Sequence, residues 1–163
     1  MAFTEEQIRL AQRDIPGITL MLAFYRKFGE DALEVVREWA FESGKMRGEA
    51  IKRRMNIQGT DARAIEALIN AVSAERYDKE TLEKKLVRVS VEGNKIIAVN
   101  EGFCPVMAAV KMLDAPWSLV CPNYSVPTLL GVASAVNPKV KGDVPNARWK
   151  GNKYCEHITT ILE

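Results

Sequence analysis

Apolar residues recur at helical spacing through the first half of the chain and at strand spacing through much of the second. Ile8, Leu10 and Ala11 open an apolar stripe behind Thr4 and Gln7, whose spacing fits a capping box. Asp14-Ile15-Pro16-Gly17 interrupts that stripe. A second helix takes Ile18, Leu20, Met21, Leu22, Phe24 and Tyr25 before Gly29 stops it. Residues 31–41 place Leu33, Val36, Trp39 and Ala40 at helical spacing, with Gly44 beyond the end, and residues 46–55 read as a separate short basic helix. Thr60 and Asp61 cap a further helix that carries Ile65, Leu68, Ile69 and Val72 on one face. Phe24, Tyr25 and Trp39 are expected in the core.

Near Leu86 the period shortens to two. Val87, Val89 and Val91 alternate with Arg88 and Ser90, Glu92-Gly93-Asn94 turns the chain, and residues 95–99 return as a second strand. A short helical stretch covers 106–113 after Cys104-Pro105, and residues 126–136 read as a helix closed by Asn137-Pro138. Val140 and Val144 flank a turn predicted at Gly142-Asp143, and residues 154–161 form the last strand. Helices followed by a mostly antiparallel sheet with interspersed helices make an α+β class. A single domain over 1–163 is expected, with a helical part at 1–84 and an α+β part at 85–163.

Composition narrows the setting. Hydrophobic residues at 47% and charged residues at 27% of 163 positions suffice for one ordinary core. A net charge of +2 gives no electrostatic argument for a polyanionic partner. The cluster Lys45, Arg47, Lys52, Arg53 and Arg54 has no interleaved aromatic residue, so it reads as a solvated face and no nucleic-acid partner is expected. Apolar runs fall short of the ~18 residues a membrane span requires. The first residues lack a basic segment followed by an apolar one, so a cytoplasmic protein without a membrane partner is expected. Residues 31–41 and 61–72 present broad apolar faces, which makes a homodimer through the helical part the expected assembly.

The chemistry concentrates late in the chain. Three cysteines stand in the last 60 residues and none before them: Cys104, Cys121 and Cys155. Their odd number in a chain without a secretion signal points to reduced thiols. Cys155 and His157 share one face of the last strand while Glu156 points to the other, and His157 is the only histidine. Cys121 shortly precedes a helix, where oriented N–H groups lower a thiol pKa. Lys139, Lys141, Arg148, Lys150 and Lys153 lie between Cys121 and Cys155, favouring thiolates, and Arg148 suits a substrate carboxylate. Trp117 and Tyr124, near the cysteine segments, complete the set expected to face substrate, and Trp149 is a further candidate to line a pocket. Two chemistries are open to such a cluster. One is a reactive thiolate at Cys121 or Cys155 with His157 as acid or base. The other is a Zn²⁺ ion held by Cys104, Cys121 and Cys155 with an open position for water; otherwise no cofactor is expected.

Cys104-Pro105, Cys121 before a helix, Asn137-Pro138, Arg148 and Gly151-Asn152-x-x-Cys155-Glu156-His157 before an apolar strand resemble the C-terminal pattern of the L-2-amino-thiazoline-4-carboxylic acid hydrolase family over about residues 85–163. An acidic residue often stands in that family where Asn152 stands here. The resemblance implies a hydrolase acting on a small cyclic C–N/C–S substrate. More distantly, the chain is similar to vinyl reductase-type small-molecule-binding domains, in some of which cysteines and an acidic residue hold zinc. That likeness implies a non-catalytic sensor or carrier. No counterpart exists here for one sensor cysteine, so a closed four-ligand site is not expected.

Overall fold

The computed structural model describes residues 2–163, leaving Met1 outside. The first helix, α1 (Glu5–Gln12), starts where the capping box places it: the Gln7 N–H donates to the Thr4 hydroxyl and the Thr4 N–H to the Gln7 side chain, each at 3.2 Å. Pro16 occupies the first turn of α2 (Ile15–Phe28), where no N–H is needed, so the sequence that reads as an interruption initiates the helix. Gly29, at φ 69°, ends it.

The largest departure from expectation is α3 (Asp31–Arg54), one continuous helix where two were predicted. Gly44 lies inside it and allows close approach to α8 (Val126–Ser134). A Cβ at Gly44 would stand 2.0 Å from the Thr128 carbonyl oxygen, and one at Gly131 would stand 2.0 Å from the Phe41 carbonyl oxygen. Backbone meets backbone there. Helix α4 (Ala62–Arg76) is capped by Asp61, whose carboxylate accepts the Ala64 N–H at 2.9 Å. Its apolar face is consumed in the core, since Ile65, Leu68, Ile69 and Val72 are all buried. The other face expected to support a homodimer, that of residues 31–41, is also largely buried at Leu33, Val36 and Ala40, with Trp39 left exposed. Phe24 and Trp39 are 41% and 42% exposed, which corrects their expected place in the core.

After the short α5 (Lys79–Glu83), the hairpin forms as read. Strands β1 (Val87–Glu92) and β2 (Lys95–Asn100) pair from Val87 with Asn100 to Glu92 with Lys95. Helix α6 (Pro105–Met112), α7 (Trp117–Val120), a π-turn (Cys121–Ser125) and α8 follow. The last three run on without a break, so this helix begins before Cys121 and not after it. Pro122 and Pro127 make the stretch look like a boundary, because each lacks an N–H and crowds the preceding turn. The wider turn takes in Pro122, with Pro127 just beyond it at the start of α8: the Val126 N–H reaches back five residues to the Cys121 carbonyl.

Strands β3 (Val140–Asn146) and β4 (Cys155–Ile161) complete a four-stranded antiparallel sheet in the order β1-β2-β4-β3. The turn predicted at Gly142-Asp143 is absent. Both residues pair with β4, and a bulge between Asp143 and Asn146 bends this edge strand. The helices and the sheet make an α+β fold, as expected. Two clusters of buried side chains form its interior. Ile18, Met21, Val106, Val110 and Val120 belong to one, while Ile65, Leu68, Ile96, Val132 and Val136 belong to the other. Among the described residues no helix is long and apolar enough to cross a membrane.

Alanine at Gly44 tests the α3–α8 contact. Propensity favours alanine in a helix by about 1 kcal/mol, but a clash with backbone that cannot move aside is expected to reverse the sign. Gly44→Ala is expected to cost about 3 kcal/mol in urea unfolding. Glu42→Ala, an exposed change two residues away, is expected within about 0.5 kcal/mol of the parent.

Candidate functional site

The three cysteines, separated by 17 and 34 positions in sequence, are carried to one place by three elements. Cys104 is the N-cap of α6, Cys121 opens the π-turn, and Cys155 begins β4. Antiparallel pairing sets Cys155 beside Asn100 and His157 beside Ala98. All three thiols and His157 line a single cavity of about 90 Å³ at the seam between the two buried clusters, with Trp149 and Tyr77 also in its wall. Glu156, one position along β4, accepts instead from the Asn146 side-chain amide at 2.7 Å.

Burial, and not cationic surroundings, sets the electrostatics here. It pushes the Cys121 thiol up to about 12. The reason is the uninterrupted helix from Trp117: Cys121 has a turn of helix before it and meets no free N–H groups at an N-terminus. The helix-start position belongs to Cys104. Burial raises its thiol too, outweighing the Met107 N–H and the charges of Arg76 and Arg148, which act to lower it. Lys139, Lys141, Lys150 and Lys153 are all exposed, away from the chamber. Burial also lowers His157 to about 4 and raises the Tyr77 phenol to about 12. At neutral pH the imidazole and phenol are uncharged, and Cys104 and Cys121 are thiols.

Arg148 does not reach into this cavity with its guanidinium. That group donates to the carbonyls of Asn100 (3.1 Å) and Lys153 (3.3 Å), while its backbone N–H donates to the Cys155 sulfur at 3.4 Å. The sequence expectation gave this guanidinium a substrate carboxylate; here its Nε–H and one Nη–H are engaged by backbone carbonyls. Tyr124 and Trp117 are also elsewhere. Tyr124 donates its hydroxyl to Asp14 at 3.1 Å, and Trp117 packs on the cluster around Val120. Of the two tryptophans near the cysteines, Trp149 alone lines the chamber.

Among the described residues, no group of three or more His, Cys, Asp or Glu side chains is set closely enough to hold a metal ion. Cys104, Cys121 and Cys155 line the same cavity without forming such a group.

A second cavity of about 190 Å³ adjoins the first and carries residues that the sequence did not single out. Asp14, only 5% exposed, accepts from Arg76 at 3.1 and 3.3 Å and from Tyr124. Arg47, read from sequence as part of a solvated face, is half-buried and lines both cavities, as do Arg76 and Thr128. The one local signal was a charged pair flanking apolar helices, Asp14 before α2 and Arg76 ending α4.

No protein-family model and no curated protein matches the chain. Its fold is similar to that of a trafficking protein particle complex subunit 3 from Naegleria fowleri, solved covalently bound to palmitic acid. The TM-score is 0.58 at 11% identity, over 96% of this chain and 97% of that one. Likeness at this identity is likeness of fold. The aminothiazoline hydrolase family gains no support from it.

Acid should find His157. Its folded value of about 4 lies below the ordinary 6.5, so the neutral ring favours folding, fully above pH 6.5. That contribution is lost as pH falls from 6.5 through 4, and a urea midpoint followed over pH 7.5 to 4 is expected to drop less steeply in His157→Gln. At pH 8 Cys121 is expected to alkylate roughly a thousandfold more slowly than an unfolded cysteine, in proportion to its thiolate fraction. Mass spectrometry of partially alkylated protein reads this directly.

Proposed function

We propose that the chain is a small-molecule-binding protein that seats a short apolar group in the thiol-lined cavity and performs no chemistry on it. The observation that carries this reading is a wall whose thiols at Cys104 and Cys121, imidazole at His157 and phenol at Tyr77 are all neutral at pH 7. Apart from Arg47 and Arg76, which it shares with the neighbouring cavity, such a lining suits an apolar guest. It leaves hydrolysis without an ionised nucleophile at Cys121, and with an imidazole too weakly basic to draw a proton at neutral pH. The fold likeness to a protein carrying covalent palmitic acid supports the same class of guest.

Size decides which guest. An apolar cavity of about 150 Å³ takes benzene, so about 90 Å³ holds roughly four carbons and not a long acyl chain. At about 0.8 kcal/mol per buried methylene, four carbons contribute about 3 kcal/mol, a millimolar ligand before any polar contact is added. Calorimetric titration with 1-pentanol is expected to show saturable binding in this range. Ala98→Leu places extra carbon opposite His157 in the cavity wall and is expected to weaken it at least tenfold. Unchanged affinity in Ala98→Leu would sink the assignment of the guest to this cavity.

A hydrolase acting on a small cyclic C–N/C–S compound is the second reading, and one contact favours it. The Cys155 sulfur accepts the Arg148 backbone N–H, with His157 two residues along the same strand face. Under that reading Cys155→Ser abolishes turnover of an aminothiazoline carboxylate. Under the binding reading the parent protein shows no turnover to lose.

A further inference from the structure

The second cavity has an excess of cations that its own acids do not balance. It lies between Leu10 and Arg13 at the end of α1, Asp14, Ser43 and Arg47 of α3, Arg76 of α4, and Thr128 of α8. Asp14 is the one carboxylate in this wall, and its charge is already taken: Arg76 donates to both of its oxygens and Tyr124 to one. Glu75, outside the wall, pairs with Arg54 and reaches Arg47 only at 3.8 Å. Arg13 donates one N–H to the neutral Glu75 carbonyl at 3.1 Å. Arg13 thus lines the cavity with no carboxylate paired to it among the described residues, and Arg47 shares Glu75 with Arg54, so guanidiniums outnumber carboxylates around this cavity. Burial and then the like charge of Arg76 lower the affinity of Arg47 for its proton; Asp14 opposes this in part and Arg13 adds to it, and an anion in the cavity would relieve the remaining crowding. Planar guanidiniums match oxyanions through paired N–H donors.

Arg47, Arg76 and Thr128 line this cavity and the thiol-lined one alike. We propose that the arginine-lined cavity is an oxyanion site that takes the carboxylate or phosphate head of a short amphiphile whose apolar part occupies the thiol-lined chamber. The inference rests on the binding reading above and extends it from an apolar guest to an amphiphilic one. The anion-binding part that the sequence gave to Arg148 falls to Arg47, with Arg13 alongside. Trp39, tilted against Tyr124 at 6.1 Å between ring centroids, also lines this cavity.

The test is calorimetric titration of the full chain at pH 7 and low salt with 1-pentanol, pentanoate and pentyl phosphate, with acetate and inorganic phosphate as heads without a chain. Both pentyl anions are expected to bind at least tenfold more tightly than 1-pentanol. Arg47→Gln is expected to bring them within twofold of the alcohol, and added salt to narrow the gap in the parent. The preferred anion names the head, carboxylate or phosphate. If Arg47→Gln does not fold, as judged by thermal unfolding, the exposed Arg13→Gln carries the same comparison with an expected loss of threefold or more. A tenfold preference that survives these substitutions overturns the assignment to this cavity. Acetate or inorganic phosphate binding as tightly as the pentyl anions overturns the shared occupancy of the two cavities. Saturable binding of 1-pentanol with no preference for the anions overturns the oxyanion site alone. Failure of all pentyl compounds to bind overturns both this site and the apolar-guest reading.

Discussion

The contact between α3 and α8 at Gly44 and Gly131 is the constraint on which the interior depends. Each glycine faces a carbonyl oxygen of the other helix with no room for a Cβ, so the helices meet at backbone distance. This approach fixes the depth of the helical rod that carries Cys121, Tyr124 and Thr128. It also places Arg47, one turn beyond Gly44, against the wall shared by both cavities. Side-chain packing alone leaves helices some 8–10 Å apart; glycine at the crossing removes the spacer and leaves a narrow seam where larger residues would have filled it.

Much of the fold could be read from local signals. The Thr4–Gln7 box, the Asp61 cap and the Gly93 turn are each set by residues within a few positions of one another, and each forms as expected. The failures share a cause: a residue with a familiar local meaning serves a distant partner. Gly44 looks like a helix stop and is a crossing point. Cys121-Pro122 looks like a lead-in to a helix and is a π-turn within one. Gly142-Asp143 looks like a turn and is a bulged edge strand, because an edge needs few apolar positions. The candidate site divides in the same way. The shared face of Cys155 and His157 follows from strand alternation and was legible. The seclusion of the thiols was not, since it depends on packing between elements dozens of residues apart. Nor was the Asp14–Arg76–Tyr124 network, which joins positions 62 and 110 residues apart.

The two cavities stand in electrical contrast across a shared wall. On one side are thiols, an imidazole and a phenol; on the other are guanidiniums with one carboxylate already engaged. Arg47 and Arg76 belong to both sides, and Arg76 is held in charge by Asp14 despite its burial. A partition of this kind sorts the ends of a molecule: the apolar end loses little by leaving water on one side, while the charged end keeps hydrogen-bond donors on the other.

The π-turn at Cys121–Ser125 also has a geometric consequence. One extra residue per turn slips the phase of a helix by about 100°. Before the slip, Val120 faces the interior shared with α1, α2 and α6; after it, Val132 and Ala133 face the interior shared with α4 and the sheet. The rod works as a crankshaft, its two throws set at different angles by a single inserted residue. The thiol-lined chamber opens at the web between them, so the same irregularity that divides the core leaves the hollow beside Cys121.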